Sequence, residues 1–188
     1  MNTYDFDKTI FYPDSSYCFY LYCLRHYPGA MVKTLPRSVV SGLRYAAGKG
    51  NAKALKEQLF SFLPNLPDVD GAVKDFWDEN RQRLAKWYLR KKRSDDVIIS
   101  ASPEFLLKPI CARLGIRHLI ASRVDSRTGR YQGKNCHGAE KVVRLKQELG
   151  YDHCTAFYSD SYSDTPLAEI ADRAYLVKKD GTVVPWGK

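Results

Sequence analysis

Four apolar runs in this chain are short and continuous rather than alternating: Thr3–Tyr4 leading into Asp5, DVIIS at 96–100, TAFYS at 155–159 and AYLVK at 174–178. Continuous apolarity over so few residues marks strands covered on both faces, the habit of parallel sheets. HLIAS at 118–122 is a fifth candidate. Helical patterns with recognisable ends separate these runs. Ser102 and Pro103 form an N-cap and a first-turn proline, and Gly115 stops the run FLLKPICARLG, in which Pro109 predicts a kink or an early break. GAEKVVRLKQEL at 138–149 is helical, with Val142, Val143, Leu145 and Leu149 as the expected buried set and Gly150 as its stop. Asp164-Thr165-Pro166 opens a further helix, and RVDSRTGRYQGKN reads as a hairpin or loop turning at Ser126–Gly129. Strands alternating with helices predict a doubly wound α/β fold on a mostly parallel sheet.

Residues 12–93 break that rhythm. Runs such as NAKALKEQLFSFL and GAVKDFWDENRQRLAKWYLRKKR predict three or four helices inserted between the first two strands, with Phe76, Leu84, Trp87 and Leu89 at loosely helical spacing. Composition changes over the same stretch. Residues 12–93 carry 15 Lys and Arg against 7 Asp and Glu, whereas the rest carries 15 against 14. The expected organisation is therefore a core formed by 1–11 and 94–188, with 12–93 as an inserted helical unit.

At 188 residues and 44% hydrophobic content, the chain can bury a substantial core. Its five cysteines show neither paired nor zinc-like spacing and read as reduced thiols of a cytoplasmic protein. No leader pattern precedes the first strand, and the apolar run YCFYLYCL is too short for a membrane span. The four histidines show no metal spacing and read as structural or surface residues.

In doubly wound sheets, ligands bind beyond the carboxyl ends of the strands. Strand one ends in DFDKT, which places Asp5 and Asp7 on one side roughly 7 Å apart. Like charges that close repel, so a cation is the first candidate to offset them. Strand two ends at Ser100-Ala101-Ser102, and TAFYS runs into Asp160-Ser161-Tyr162-Ser163-Asp164. Lys141 opens the helix before TAFYS, 19 residues ahead of Asp160, and Lys134 and His137 lie near the same position. Several carboxylates, hydroxyls and a lysine on one edge are the inventory of phosphoryl transfer.

DFDKT, VIISAS, Lys141 and YSDSYSD together resemble, in order, the four motifs of the haloacid dehalogenase superfamily. The insertion after the first motif resembles the helical cap of the phosphoserine phosphatase subclass. NCHGAEKVVRL and SDSYSDTPL look like a bacterial branch of it, although Ser159 stands where the superfamily usually has Gly. The resemblance implies a phosphatase in which Asp5 attacks phosphorus and Asp7 carries the proton. It also implies Mg²⁺ held by Asp5, the Asp7 carbonyl and Asp160, with Asp164 acting through water, and Thr9, Ser100 and Lys141 holding phosphoryl oxygens. Asp14 falls where phosphoserine phosphatases place a Glu that reads the substrate amine.

In the basic insertion, Arg37, Arg44, Lys49 and Lys53 precede or open predicted helices and are candidates to meet an anionic substrate. The implied partner is a small phosphorylated metabolite or a phospholipid head group of the phosphatidylglycerophosphate type, with a membrane surface as a further candidate. The competing reading is a non-catalytic module binding nucleic acid or another polyanion. Intact motifs argue against it, since their loss would be the easy route to inactivity.

Overall fold

The computed structural model describes residues 1–49 and 52–187, without the side chains of Ala52 and Lys53, so the expectation for Lys53 lies outside the described residues. The chain runs β1 (Asn2–Tyr4), α1 (Ser15–His26), α2 (Pro28–Met31), α3 (Leu35–Ala46), α4 (Ala52–Phe60), α5 (Val69–Asn80), α6 (Lys86–Lys91), β2 (Val97–Pro103), α7 (Glu104–Arg113), β3 (His118–Ser122), α8 (Ala139–Leu149), β4 (Cys154–Ser159), α9 (Thr165–Glu169), β5 (Ala171–Val177) and β6 (Val183–Pro185). The six strands form one sheet in the order β3-β2-β1-β4-β5-β6. All neighbours are parallel except β5 and β6, an antiparallel hairpin at the edge.

The apolar runs form the five parallel strands, as continuous apolarity predicts. β6 is the strand the sequence reading lacks. It has three residues and ends in Pro185, a residue confined to sheet edges because it cannot donate to a ladder. α7 passes through Pro109 without breaking. Its buried face of Leu106, Leu107, Ile110 and Cys111 holds the helix together across one missing backbone bond. Ser102 is not the cap of α7: β2 runs on to Pro103, which takes the N-cap position. On α8, Val143 is exposed rather than buried, because Lys141 and Arg144 occupy the inner face beside Leu145.

Between β1 and β2 lie six α-helical segments among the described residues, more than the three or four expected. Short interruptions at Tyr27 and at Arg81–Arg83 divide what the patterning left as longer runs. These helices share the core of the sheet. Phe19, Phe60, Phe76, Trp77 and Tyr88 form one cluster with Tyr4, Phe6, Ile98 and Leu106, and the Trp77 indole donates to the Leu106 carbonyl at 2.7 Å. The aromatic residues of the insertion thus chiefly fill an interior. α3 is the exception: it fully buries only Ser38 and packs mainly against α4.

A loop after β3 ties α4 to the sheet. Val124 and Tyr131 form an antiparallel bridge, and the Tyr131 amide donates to Glu57 of α4 at 3.2 Å. At its turn, Gly129 has φ +73°, and a Cβ there would lie 2.3 Å from the Phe60 carbonyl oxygen. Gly129→Ala is therefore expected to destabilise the protein by about 2 kcal/mol, the cost of a strained backbone plus the displacement of α4. Denaturant unfolding of the two proteins measures it.

Candidate active site

The strand order places β1 between β2 and β4, so the chain departs to one side of β1 and returns on the other. That is the topological switch point, where doubly wound sheets leave a crevice. A cavity of about 300 Å³ occupies it, lined by Asp5, Asp7, Lys8, Asp14, Tyr45, Lys56, Ser100, Ala101, Asn135, His137, Lys141 and residues 160–164 apart from Tyr162.

Register fixes the first carboxylate. Tyr4 pairs with Tyr158, and the Asp5 amide donates to the Tyr158 carbonyl at 2.9 Å, so Asp5 emerges as the ladder ends. Lys141 reaches it from the first turn of α8. The Lys141 Nζ donates to Asp5 Oδ1 and to Asp164 Oδ2, each at 2.7 Å, and its side chain is only 2% exposed. Burial pulls the Lys141 ammonium down, but Asp5 and Asp164 together hold it well above the ordinary lysine range. Burial pushes the Asp5 carboxyl up, with Lys141 pulling against it and Asp164 and Asp7 adding to the rise. The arrangement is one buried cation shared by two buried carboxylates.

Asp164 receives a second hydrogen bond from Ser159 Oγ at 2.8 Å, so its side chain is turned into the site and does not cap α9. Its other oxygen, Oδ1, is buried with no hydrogen-bond partner. Asp160 is partly buried, and that burial raises its carboxyl while Lys8 opposes the shift.

Asp7 is held differently. Its Oδ1 accepts from the Ser15 amide at the start of α1 at 2.7 Å, and its Oδ2 accepts a close hydrogen bond from Ser102 Oγ. Ser102 in turn contacts the hydroxyls of Ser15 and Ser16, and its amide donates to Ser100 Oγ at 3.1 Å. A register irregularity between Ser100 and Pro103 redirects this part of β2. Burial pushes the Asp7 carboxyl up to about 6, with the Asp14 charge adding to the rise.

The structure thus brings Asp5, Asp7, Asp14, Ser100, Lys141, Asp160 and Asp164 to one cavity. It does not bring Thr9 there. The turn at Lys8–Ile10 carries Thr9 inward, where it is fully buried and its hydroxyl has no partner, so it is not placed to hold a phosphoryl oxygen. Arg37 and Arg44 line a separate groove between α3 and α4. Lys134 is exposed and pairs with Glu140 at 3.6 Å, away from Asp5. Ser102 stands in the strand-end motif but reads as a helix cap, and the motifs give no sign of Ser15, Tyr45 or Lys56, whose Nζ donates to the Ala101 carbonyl at 3.0 Å. His137, which the sequence reads as a structural or surface residue, is exposed and also lines the cavity.

Among the described residues, no three metal-type side chains already stand around a single point, because Lys141 lies between Asp5 and Asp164. The donor chemistry nevertheless fits a hard divalent cation. Asp5, Asp160 and Asp164 supply carboxylate oxygens, and one of these, Asp164 Oδ1, is buried without a partner.

Comparison with known proteins gives the class. The pattern of the haloacid dehalogenase-like hydrolases matches residues 3–169, and the chain belongs to that family. Over 150 residues it is 32% identical to Protein CicA of Caulobacter vibrioides, covering 77% of this chain and 61% of CicA. The chain therefore spans about three fifths of that relative's length. It is also 37% identical over 94 residues to a protein of Mycobacterium tuberculosis described as a probable phosphatase, covering 46% of this chain and 32% of that one. The crystal structure of a protein of unknown function from Bordetella pertussis superposes with a TM-score of 0.76 at 25% identity, covering 93% of this chain and 87% of the other.

Removing the shared cation leaves two buried carboxylates facing each other. Lys141→Met is expected to cost about 3 kcal/mol in urea unfolding, whereas Lys134→Met changes stability by less than about 0.5 kcal/mol.

Proposed function

We propose that the protein is a Mg²⁺-dependent phosphomonoesterase working through an aspartyl phosphate on Asp5. The observation that carries this reading is the gathering of Asp5, Asp7, Ser100, Lys141, Asp160 and Asp164 around one cavity at the switch point. Haloacid dehalogenase-like hydrolases divide into several chemistries, and the second carboxylate favours phosphate. Hydrolysing an aspartyl phosphate needs a proton-transfer group beside the nucleophile.

In this mechanism an Asp5 oxygen attacks phosphorus, and the bond from phosphorus to the alcohol oxygen breaks. Asp7, held by Ser15 and Ser102, gives its proton to the departing oxygen. A carboxyl pushed up to about 6 still carries a proton in part of the population near neutral pH, as a general acid must. Asp7 then takes a proton from the water that attacks phosphorus, which frees phosphate and restores Asp5. Ser100 and Lys141 hold the phosphoryl oxygens. Asp5, the Asp7 carbonyl, Asp160 and Asp164 would hold the magnesium ion, which supplies charge neutralisation at the phosphoryl group.

A cavity of about 300 Å³ suits a small phosphorylated metabolite. Asp14, whose Oδ1 caps α1 through the Tyr17 amide, is the carboxylate that meets the leaving group. Residues 12–93 act as the cap, with Tyr45 and Lys56 as its contributions to the cavity wall. Among the described residues no helix is long and apolar enough to cross a membrane.

The test is turnover of p-nitrophenyl phosphate with Mg²⁺. EDTA is expected to abolish it and added Mg²⁺ to restore it. Asp5→Asn is expected to lower kcat by about 10³-fold or more, with the far-UV circular dichroism spectrum unchanged. Near wild-type turnover in Asp5→Asn would overturn the mechanism.

A further inference from the structure

The groove between α3 and α4 is a feature the mechanism leaves unused. Its volume is about 630 Å³, and its walls include Arg37, Val40, Arg44, Tyr45 and Lys49 from α3 and its end, with Leu55 from α4. Tyr45 also lines the catalytic cavity, so this one residue borders both spaces. Among the described residues that line the groove none is acidic, and three are cationic. Val40 remains 55% exposed and Tyr45 46%, so the rest of the protein leaves this face uncovered.

Helical geometry orders these groups. Arg37, Val40 and Arg44 follow the i, i+3, i+7 spacing of one helix face, with the two arginines about 10 Å apart. Along α3, Arg44 and Lys49 lie at the Tyr45 end and Arg37 about two turns away, with Val40 between them and Leu55 of α4 on the other wall. Read outward from the phosphate, the sequence of surroundings is cationic, apolar, then cationic again.

We propose that this groove is the leaving-group subsite, and that the substrate is an elongated phosphate monoester with an apolar segment and a second anionic group at its far end. The inference rests on the phosphomonoesterase reading. The phosphate sits among Ser100, Lys141 and the carboxylates, the alcohol portion passes Tyr45, its apolar part lies against Val40 and Leu55, and the distal anion meets the Arg37 guanidinium. A guanidinium pairs with a carboxylate or phosphate in bidentate fashion, which gives direction as well as affinity. The groove residues are specificity-determining; none touches the reacting atoms.

A homologous series of ω-carboxyalkyl phosphates tests this, from the shortest member to ones long enough to span about 10 Å from Tyr45. The expected result is a kcat/KM that rises about tenfold or more along the series, with no such gain for n-alkyl phosphates of matching length that lack the carboxylate. Arg37→Ala should remove that gain for the long acids while leaving p-nitrophenyl phosphate turnover at the wild-type rate. A flat series in an enzyme that hydrolyses p-nitrophenyl phosphate normally would overturn the subsite and leave the phosphatase reading intact. If p-nitrophenyl phosphate itself is not hydrolysed, the phosphatase reading fails, and calorimetric binding of the corresponding phosphonates decides the subsite separately. Affinity that grows with chain length and falls about tenfold in Arg37→Ala supports it, and equal affinity across the series contradicts it.

Discussion

The site is organised around one buried ammonium. Lys141 Nζ lies 2.7 Å from both Asp5 and Asp164, and without it two carboxylates would face each other in a space from which water is largely excluded. That single contact constrains three parts of the chain. β1 must end at Asp5, α8 must begin where Lys141 points inward, and the segment after β4 must fold back so that Asp164 turns into the site. Gly138, at φ +59° immediately before α8, makes the entry possible, since a side chain there would press on the Ser163 carbonyl at 3.3 Å. The parallel sheet supplies the frame, but the ion triad sets how its ends must close.

Asp5 and Asp7, two residues apart, are given different surroundings. Asp5 faces a permanent cation. Asp7 is held only by neutral donors, the Ser15 amide and the Ser102 hydroxyl, with the Asp14 charge nearby. Burial raises both carboxyls, so their surroundings separate them: a carboxylate beside a lysine suits attack, and one among neutral donors suits proton transfer. Placing α1 directly after the first turn makes this possible, because its leading amide is what fixes Asp7.

Much of this was legible in the sequence. Continuous apolar runs marked the five parallel strands, and the polar residues closing them marked the edge where Asp5, Ser100 and Asp160 meet. What stayed hidden depends on contacts distant in the chain. Ser102 read as a helix cap because Ser-Pro is a local signal, whereas its actual partner, Asp7, is 95 residues away. Thr9 read as a ligand group because it lies in the motif, yet the turn that follows Asp7 sends it inward. Lys56 and Tyr45 belong to no local pattern: α4, tied to the sheet through Tyr131 and Ala101, carries Lys56, and α3, packed on α4, carries Tyr45. Val143 misled in the opposite direction: an apolar residue at helical spacing was displaced from the inner face by Arg144, which donates to the Ala121 carbonyl.

In the proposed mechanism Asp5 itself becomes phosphorylated. The most direct measurement is to incubate Asp7→Asn protein with substrate and Mg²⁺, quench it into borohydride, and map the product by peptide mass spectrometry. An acyl phosphate is reduced under these conditions whereas a free carboxylate is not. Residue 5 is expected to be converted to homoserine, dependent on substrate. Unmodified Asp5 in a protein that still turns over substrate, or modification at another residue, would contradict it.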